Sequence, residues 1–145
     1  MRSVLLSLAL FFTLVSAVPS YAADNKKSAS TAEQSFVKKR YTIKGEWSVG
    51  EQDGKTVIHF NDAFKTKSGP DLKVVLHTET VDNVDPKTAI EDGVKIGVLK
   101  SNRGAQSYIL PDDITLSDFK SVLIHCEAFS VLWGGFDIVD AASAP

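Results

Sequence analysis

Residues Ser121 to Val139 read S-V-L-I-H-C-E-A-F-S-V-L-W-G-G-F-D-I-V, the longest nearly apolar run outside the N-terminus and the one that holds the sole cysteine, Cys126. Val122, Leu123 and Ile124 lack helical spacing, so they predict a strand buried on much of both faces. A second strand is expected over Phe129 to Trp133, with Gly134-Gly135 letting the backbone bend before Phe136 to Val139 continues. Successive strand side chains point to opposite faces. Cys126 therefore shares a face with Val122 and Ile124, while His125 goes with Leu123 and Glu127. Within one regular strand the two cannot form a local Cys–His pair.

Outward from this run, short β-type stretches recur at close spacing. Tyr41 to Val49 alternates and shifts phase near Gly45, and Asp53-Gly54 is a hairpin signal leading into a return strand at Lys55 to Phe60. Asn61 to Pro70 reads as a loop anchored in the core by Phe64. Leu72 to His77 places Leu72, Val74 and Leu76 inward against Lys73, Val75 and His77. Val81 to Gly93 is the one helical candidate, with Asp85 as cap, Pro86 at the first position and Gly93 as stop. Strands follow at Val94 to Lys100 and Gln106 to Leu110, the latter stopped by Pro111. The pattern predicts an all-β fold, an antiparallel β-sandwich or jelly-roll-like barrel of about seven to eight short strands.

The N-terminus has a different character. Arg2 precedes an apolar core from Val4 to Val18, and the small residues Ser20 and Ala22 flank a cleavage point, which together predict a secretory signal peptide over residues 1–22. A polar linker is expected over 23–37, a β domain over 38–140 and a flexible tail over 141–145. The implied localisation is exported, periplasmic or secreted, with no membrane span after cleavage. The whole chain carries 16 Lys and Arg against 18 Asp and Glu, for a net charge of −2, which gives no footprint for nucleic acid. One cysteine in an oxidising compartment cannot form an internal disulfide. It is buried and inert, used chemically, or paired with another molecule.

Motifs for hydrolase, transferase or nucleotide chemistry are absent: there is no Gly-x-Ser-x-Gly, no phosphate-cradling glycine loop and no paired-cysteine metal motif. His59, His77 and His125 each fall opposite the dominant apolar face of their strands. Were those strands neighbours, three imidazoles would share one surface, but solitary solvent-facing histidines are the commoner case, and no metal is assigned. Trp47, Trp133, Tyr41 and Tyr108 lie inside apolar strand patterns and read mostly as core.

Several stretches together resemble the DM13 domain family. They are Gly45 with the Asp53-Gly54 hairpin, Phe60-Asn61 and Phe64, Ser68-Gly69-Pro70-Asp71-Leu72-Lys73-Val74-Val75-Leu76, Gly97 to Pro111, and Ser121 to Val131 with its Val-x-Ile-x-Cys-x-x-Phe pattern. The resemblance spans nearly all of Tyr41 to Val139 and implies a β-rich extracytoplasmic module with a proposed redox or electron-transfer role. It places Cys126 at the family's cysteine and so nominates it as the redox group. It also nominates Asp71, whose carboxylate is expected on its own account to bond local backbone amides. Before the cysteine the family usually has an aromatic residue; His125 stands there instead, as a polar binding contact. An extracytoplasmic redox partner protein is implied. No covalently bound cofactor is expected, and any haem would reside on another chain. Against the redox role stands a non-catalytic binding or interaction module in which Cys126 is core, since burial beside Val122 and Ile124 disfavours a thiolate.

Overall fold

In the computed structural model, which describes residues 34–138, two antiparallel sheets pack face to face. The first has the order β1 (Gln34–Ser35), β3 (Glu46–Gln52), β4 (Lys55–Phe60), β7 (Gln106–Ile109). The second has the order β2 (Val37–Lys38), β9 (Val131–Asp137), β8 (Ser121–Cys126), β5 (Leu72–His77), β6 (Val94–Val98). The all-β expectation holds as a sandwich and not as a closed barrel. Among the described residues there are nine strands, because β1 and β2 arise where a linker was expected. The reason is Phe36. Lying between the two short strands, it packs edge-on against Phe60, Phe64 and Phe136 at centroid distances of 5.2, 5.6 and 5.6 Å, and so draws residues 34–37 into the domain. The signal peptide, residues 23–33 of the linker and the 141–145 tail lie outside the described residues.

The β3–β4 hairpin turns at Asp53 and Gly54, both in the left-handed region at φ 52° and 76°, as the Asp-Gly pair demands. Alternation then sends Trp47, Ile58, Phe60 and Tyr108 of one sheet against Val74, Leu76, Val122, Ile124, Cys126 and Phe136 of the other. Trp47 and Phe136 stack at 3.7 Å across the interface. Such aromatic pairs contribute about 0.5–1.5 kcal/mol beyond the area they bury.

Strand β9 departs from the expected break. It begins at Val131 and runs unbroken through Gly134-Gly135, while Phe129 belongs to a short 3-10 turn (Glu127–Phe129) and is 68% exposed. Ile124 pairs with Gly134 but His125 with Leu132, so Trp133 is an extra residue, a β-bulge. That phase shift lets Trp133 and Phe136, three positions apart, both enter the core. Glycine at 135 is set by proximity: a Cβ there would come within 2.3 Å of the Val122 carbonyl oxygen.

The outer face of the five-stranded sheet is also covered. Val75, Leu123 and Leu132 pack under Val81, Val84 and Ala89, which come from the segment between β5 and β6. This segment forms turns in place of the expected helix. Asp85 does cap as read, accepting from Lys87 N–H at 2.9 Å, and its carbonyl takes Ala89 N–H at 3.0 Å. Pro86 lacks an N–H and disfavours helical backbone at Asp85, so the segment cannot run as one helix from Val81, and it covers the sheet as separate turns.

Candidate functional site around Cys126

Strand β8 keeps a continuous ladder with β5, from Ser121↔His77 to Cys126↔Leu72, so its two faces stay distinct. Cys126 enters the core cluster with Val122 and Ile124 and is 2% exposed. Its thiol donates to the Pro70 carbonyl at 3.0 Å. His125 points the other way, as the alternation required. It is nevertheless buried, at 1% exposure, because the turns between β5 and β6 cover that face; its Nε2 donates to the Pro86 carbonyl at 2.7 Å. The expected outward polar contact is therefore an internal anchor for the covering segment. Nδ1 of His125 has no hydrogen-bond partner among the described residues.

The other two histidines do not join it. His77 is buried at the far end of the β5–β8 pair, its Nδ1 accepting from Glu79 N–H at 3.0 Å. His59 lies in the opposite sheet, 2.7 Å from Ser107 Oγ. No three His, Cys, Asp or Glu side chains come together in a way that could hold a metal among the described residues.

Asp71 forms part of the thiol's cover. Its backbone is left-handed at φ 55°, a conformation Asp tolerates better than most residues, and its carbonyl accepts from Glu127 N–H at 3.1 Å. The carboxylate does not bond local amides as expected. It meets Lys73 Nζ at 2.6 Å, because Lys73, two residues on in β5, projects along the same outer face. Lys73 also approaches Glu127 at 3.6 Å, and Lys95 of β6 meets Glu127 at 2.9 Å. The hydrogen bond with Lys95 holds the Glu127 carboxyl below the usual glutamate range, and the one with Asp71 holds the Lys73 ammonium above its usual range. A chain of alternating charges thus ties the Pro70-Asp71 turn to the Glu127 turn on the outer face of the sheet, beside the strand end that carries the cysteine.

Beneath the turn, Gly69 presses on the Trp133 indole, where a Cβ would come within 2.5 Å of Cζ2. Beside it, a groove of about 390 Å³ runs between Ser68, Gly69, Asp71 and Leu72 on one side and Val98 to Asn102 on the other. Sequence reading found Cys126 and Asp71 but missed Pro70, Lys73, Lys95, Glu127 and Gly69 as its cover. The one available signal was Lys73, a cation in the outward phase of a strand and two residues from an acidic turn.

Chemically, the arrangement is a reduced thiol sealed by one turn, with no base or metal ligand against the sulfur among the described residues. No curated protein matches the chain, and no solved structure does. Among the described residues no helix is long and apolar enough to cross a membrane. A family model described as "Electron transfer DM13" matches residues 35–138, from the second residue of β1 to the residue after β9. With that match covering almost every described strand and holding Cys126 near its end, the chain belongs to the DM13 family, whose described role is electron transfer.

Proposed function

We propose that this protein is an exported DM13 module in which Cys126 is the redox group, and that the Gly69-Pro70-Asp71 turn is its lid. The observation that carries the reading is the position of the sulfur. It lies at the end of a strand, next to a turn fastened by partly exposed ion pairs and not by core packing alone. Lids are drawn from the low-stability parts of a fold, and a turn held by surface charges is such a part. The apolar run with small residues at its end, in residues 1–22, supports export.

With the lid open, the thiol loses its proton to water and the thiolate attacks a partner's disulfide. A bond forms from Cys126 to one partner sulfur, and the other sulfur leaves as a thiolate. A thiol from a second molecule then attacks the Cys126 sulfur, so the partner's remaining sulfur leaves as a thiolate and its two-electron reduction is complete. A second equivalent of that thiol frees Cys126 and departs as the disulfide. A lone cysteine fits this relay, since it has no resolving neighbour in its own chain. His125 and Asp71 act by position, His125 anchoring the cover behind β8 and Asp71 locking the lid in front of it.

The 2% exposure of Cys126 favours a second reading, a binding module whose cysteine is core. Thiol labelling of the purified protein in native buffer separates them. The redox reading expects complete reaction of one thiol without denaturant, and a Cys126→Ser variant that keeps the fold but no longer exchanges with disulfides. Reaction only after global unfolding would sink it in favour of the second.

A further inference from the structure

Outside both sheets, three short segments run side by side. Lys44 bridges Lys65, which in turn bridges Arg103. Lys44 N–H donates to the Lys65 carbonyl at 2.9 Å and Lys65 N–H returns the bond at 3.1 Å; Thr66 N–H donates to Asn102 at 2.9 Å and Gly104 N–H to Phe64 at 2.8 Å. Ile43 and Thr66 turn inward and are buried, which leaves Lys44, Lys65 and Arg103 exposed in a row on the outer surface. Lys67 continues the same face, its Nζ 4.9 Å from the Tyr41 ring centroid, and Arg40 Cζ stands 5.9 Å from that ring.

Like charges directly opposite one another on neighbouring strands are destabilising, so this row is held at a cost. Nor is it neutralised. Lys39, Lys55, Lys73, Lys95 and Lys120 each have a carboxylate within 4 Å, but Arg40, Lys44, Lys65, Lys67 and Arg103 have none among the described residues. Acidic residues gather instead between β5 and β6, where Glu79, Asp82, Asp85, Glu91 and Asp92 accompany a single Lys87. A chain of net charge −2 is thereby polarised. The ribbon also leads directly to the thiol's cover, since Lys65 and Lys67 precede Gly69 and Pro70, and Ser101 and Asn102 line the groove beside Asp71.

We infer that the ribbon of Arg40, Lys44, Lys65, Lys67 and Arg103 is a docking surface for an acidic patch on a partner protein, and that it delivers the partner to the Cys126 lid. The inference rests on the redox reading of Cys126 for its purpose but on the ribbon's own charges for its existence. A finite patch of carboxylates suits it better than a nucleic acid duplex or an anionic bilayer, because a broad, rigid negative surface would also meet the acidic excess elsewhere on the chain. A small patch or a flexible carboxylate chain can confine itself to the ribbon. Charge complementarity of this kind acts chiefly on encounter rate and orientation, as suits small transient contacts between electron-transfer proteins.

Poly-L-glutamate serves as the acidic probe, titrated against the purified protein by calorimetry. Binding should weaken at least about tenfold between about 20 mM and 200 mM salt, as screening shortens the range of the charges. Lys65→Glu combined with Arg103→Glu should weaken it at least about tenfold more, while Lys87→Glu combined with Lys55→Glu, which reverses the same number of cations elsewhere, should change it less than about twofold. Equal loss in both double variants, absence of binding at low salt, or tighter binding to heparin or to phosphatidylglycerol vesicles than to poly-L-glutamate would overturn the inference. Cys126→Ser should bind the probe like the parent, so a failure of thiol chemistry and a failure of docking give different results.

Discussion

Replacing Gly69 by alanine tests the lid directly. The new methyl would lie within 2.5 Å of Trp133 Cζ2 and 2.7 Å of Cη2, in a ring that is itself 4% exposed and boxed in by Tyr41 at 4.6 Å. Neither side can yield freely, so the turn must lift. Overpacking of this kind costs about 1–3 kcal/mol. If that cost falls on the closed state of the lid alone, the open population rises by about 5- to 150-fold, since each 1.4 kcal/mol is tenfold. The rate of Cys126 modification by a small aromatic disulfide, measured with reagent in excess, should rise by the same factor. Phe36→Ala supplies the comparison. Its ring braces Phe60, Phe64 and Phe136 away from the lid, and its partial burial puts the loss at about 2–3 kcal/mol, below the range for fully buried Phe. Denaturant midpoints should fall in both variants, but labelling should quicken only in Gly69→Ala. Equal acceleration in the two would mean that the thiol is reached by unfolding the whole domain, and the lid would be refuted.

Acid and alkali should loosen the same turn from opposite sides. The Glu127 carboxyl, held low by Lys95, contributes stability that is present above the ordinary glutamate range of about 4.3 and is lost as pH falls through its depressed value. The Lys73 ammonium, held high by Asp71, contributes stability present below about 10.4 and lost as pH rises through its elevated value. Cys126 labelling with a reagent whose own reactivity is corrected for pH should be slowest between those limits, and Lys95→Met should flatten the acid limb. Tyr108 is buried, its hydroxyl donating to Gln106 Oε1 at 2.7 Å, and burial pushes its ionisation above the usual tyrosine value. Ultraviolet titration should show one phenol ionising late, with stability falling as pH rises past about 10. Cys126→Ser should keep a donor for Pro70 while losing the sulfur's apolar packing, at about 1–2 kcal/mol by denaturant titration.

Much of the fold was legible because it rests on local rules. Asp53-Gly54 specifies its hairpin, Phe64 anchors its loop at 1% exposure, and the period of two in β5 and β8 fixes which side of the sheet Cys126 and His125 occupy. What stayed hidden depends on partners distant in sequence. Two-residue strands such as β1 and β2 are shorter than any periodicity, and only the aromatic pocket that receives Phe36 defines them. The bulge at Trp133 exists only in relation to β8. Burial of His125 follows from turns some forty residues upstream in sequence, and the Asp71–Lys73–Glu127–Lys95 chain draws on a loop, two strands and a turn. Face could be read from the sequence; what covers a face could not.

The pairing of β2 with β9 joins the two ends of the described chain, Val37 to Gly135 and Lys38 to Gly134. Because β9 stands between β2 and β8, the five-stranded sheet gains its penultimate member only when the last strand has emerged. Such a sheet cannot zip up progressively from the N-terminus. Non-local pairing of this sort belongs with folding in milliseconds to seconds, not microseconds. A newly made chain therefore passes through an interval in which Val37 and Lys38 have no strand to pair with, a delay that would suit the export proposed for it.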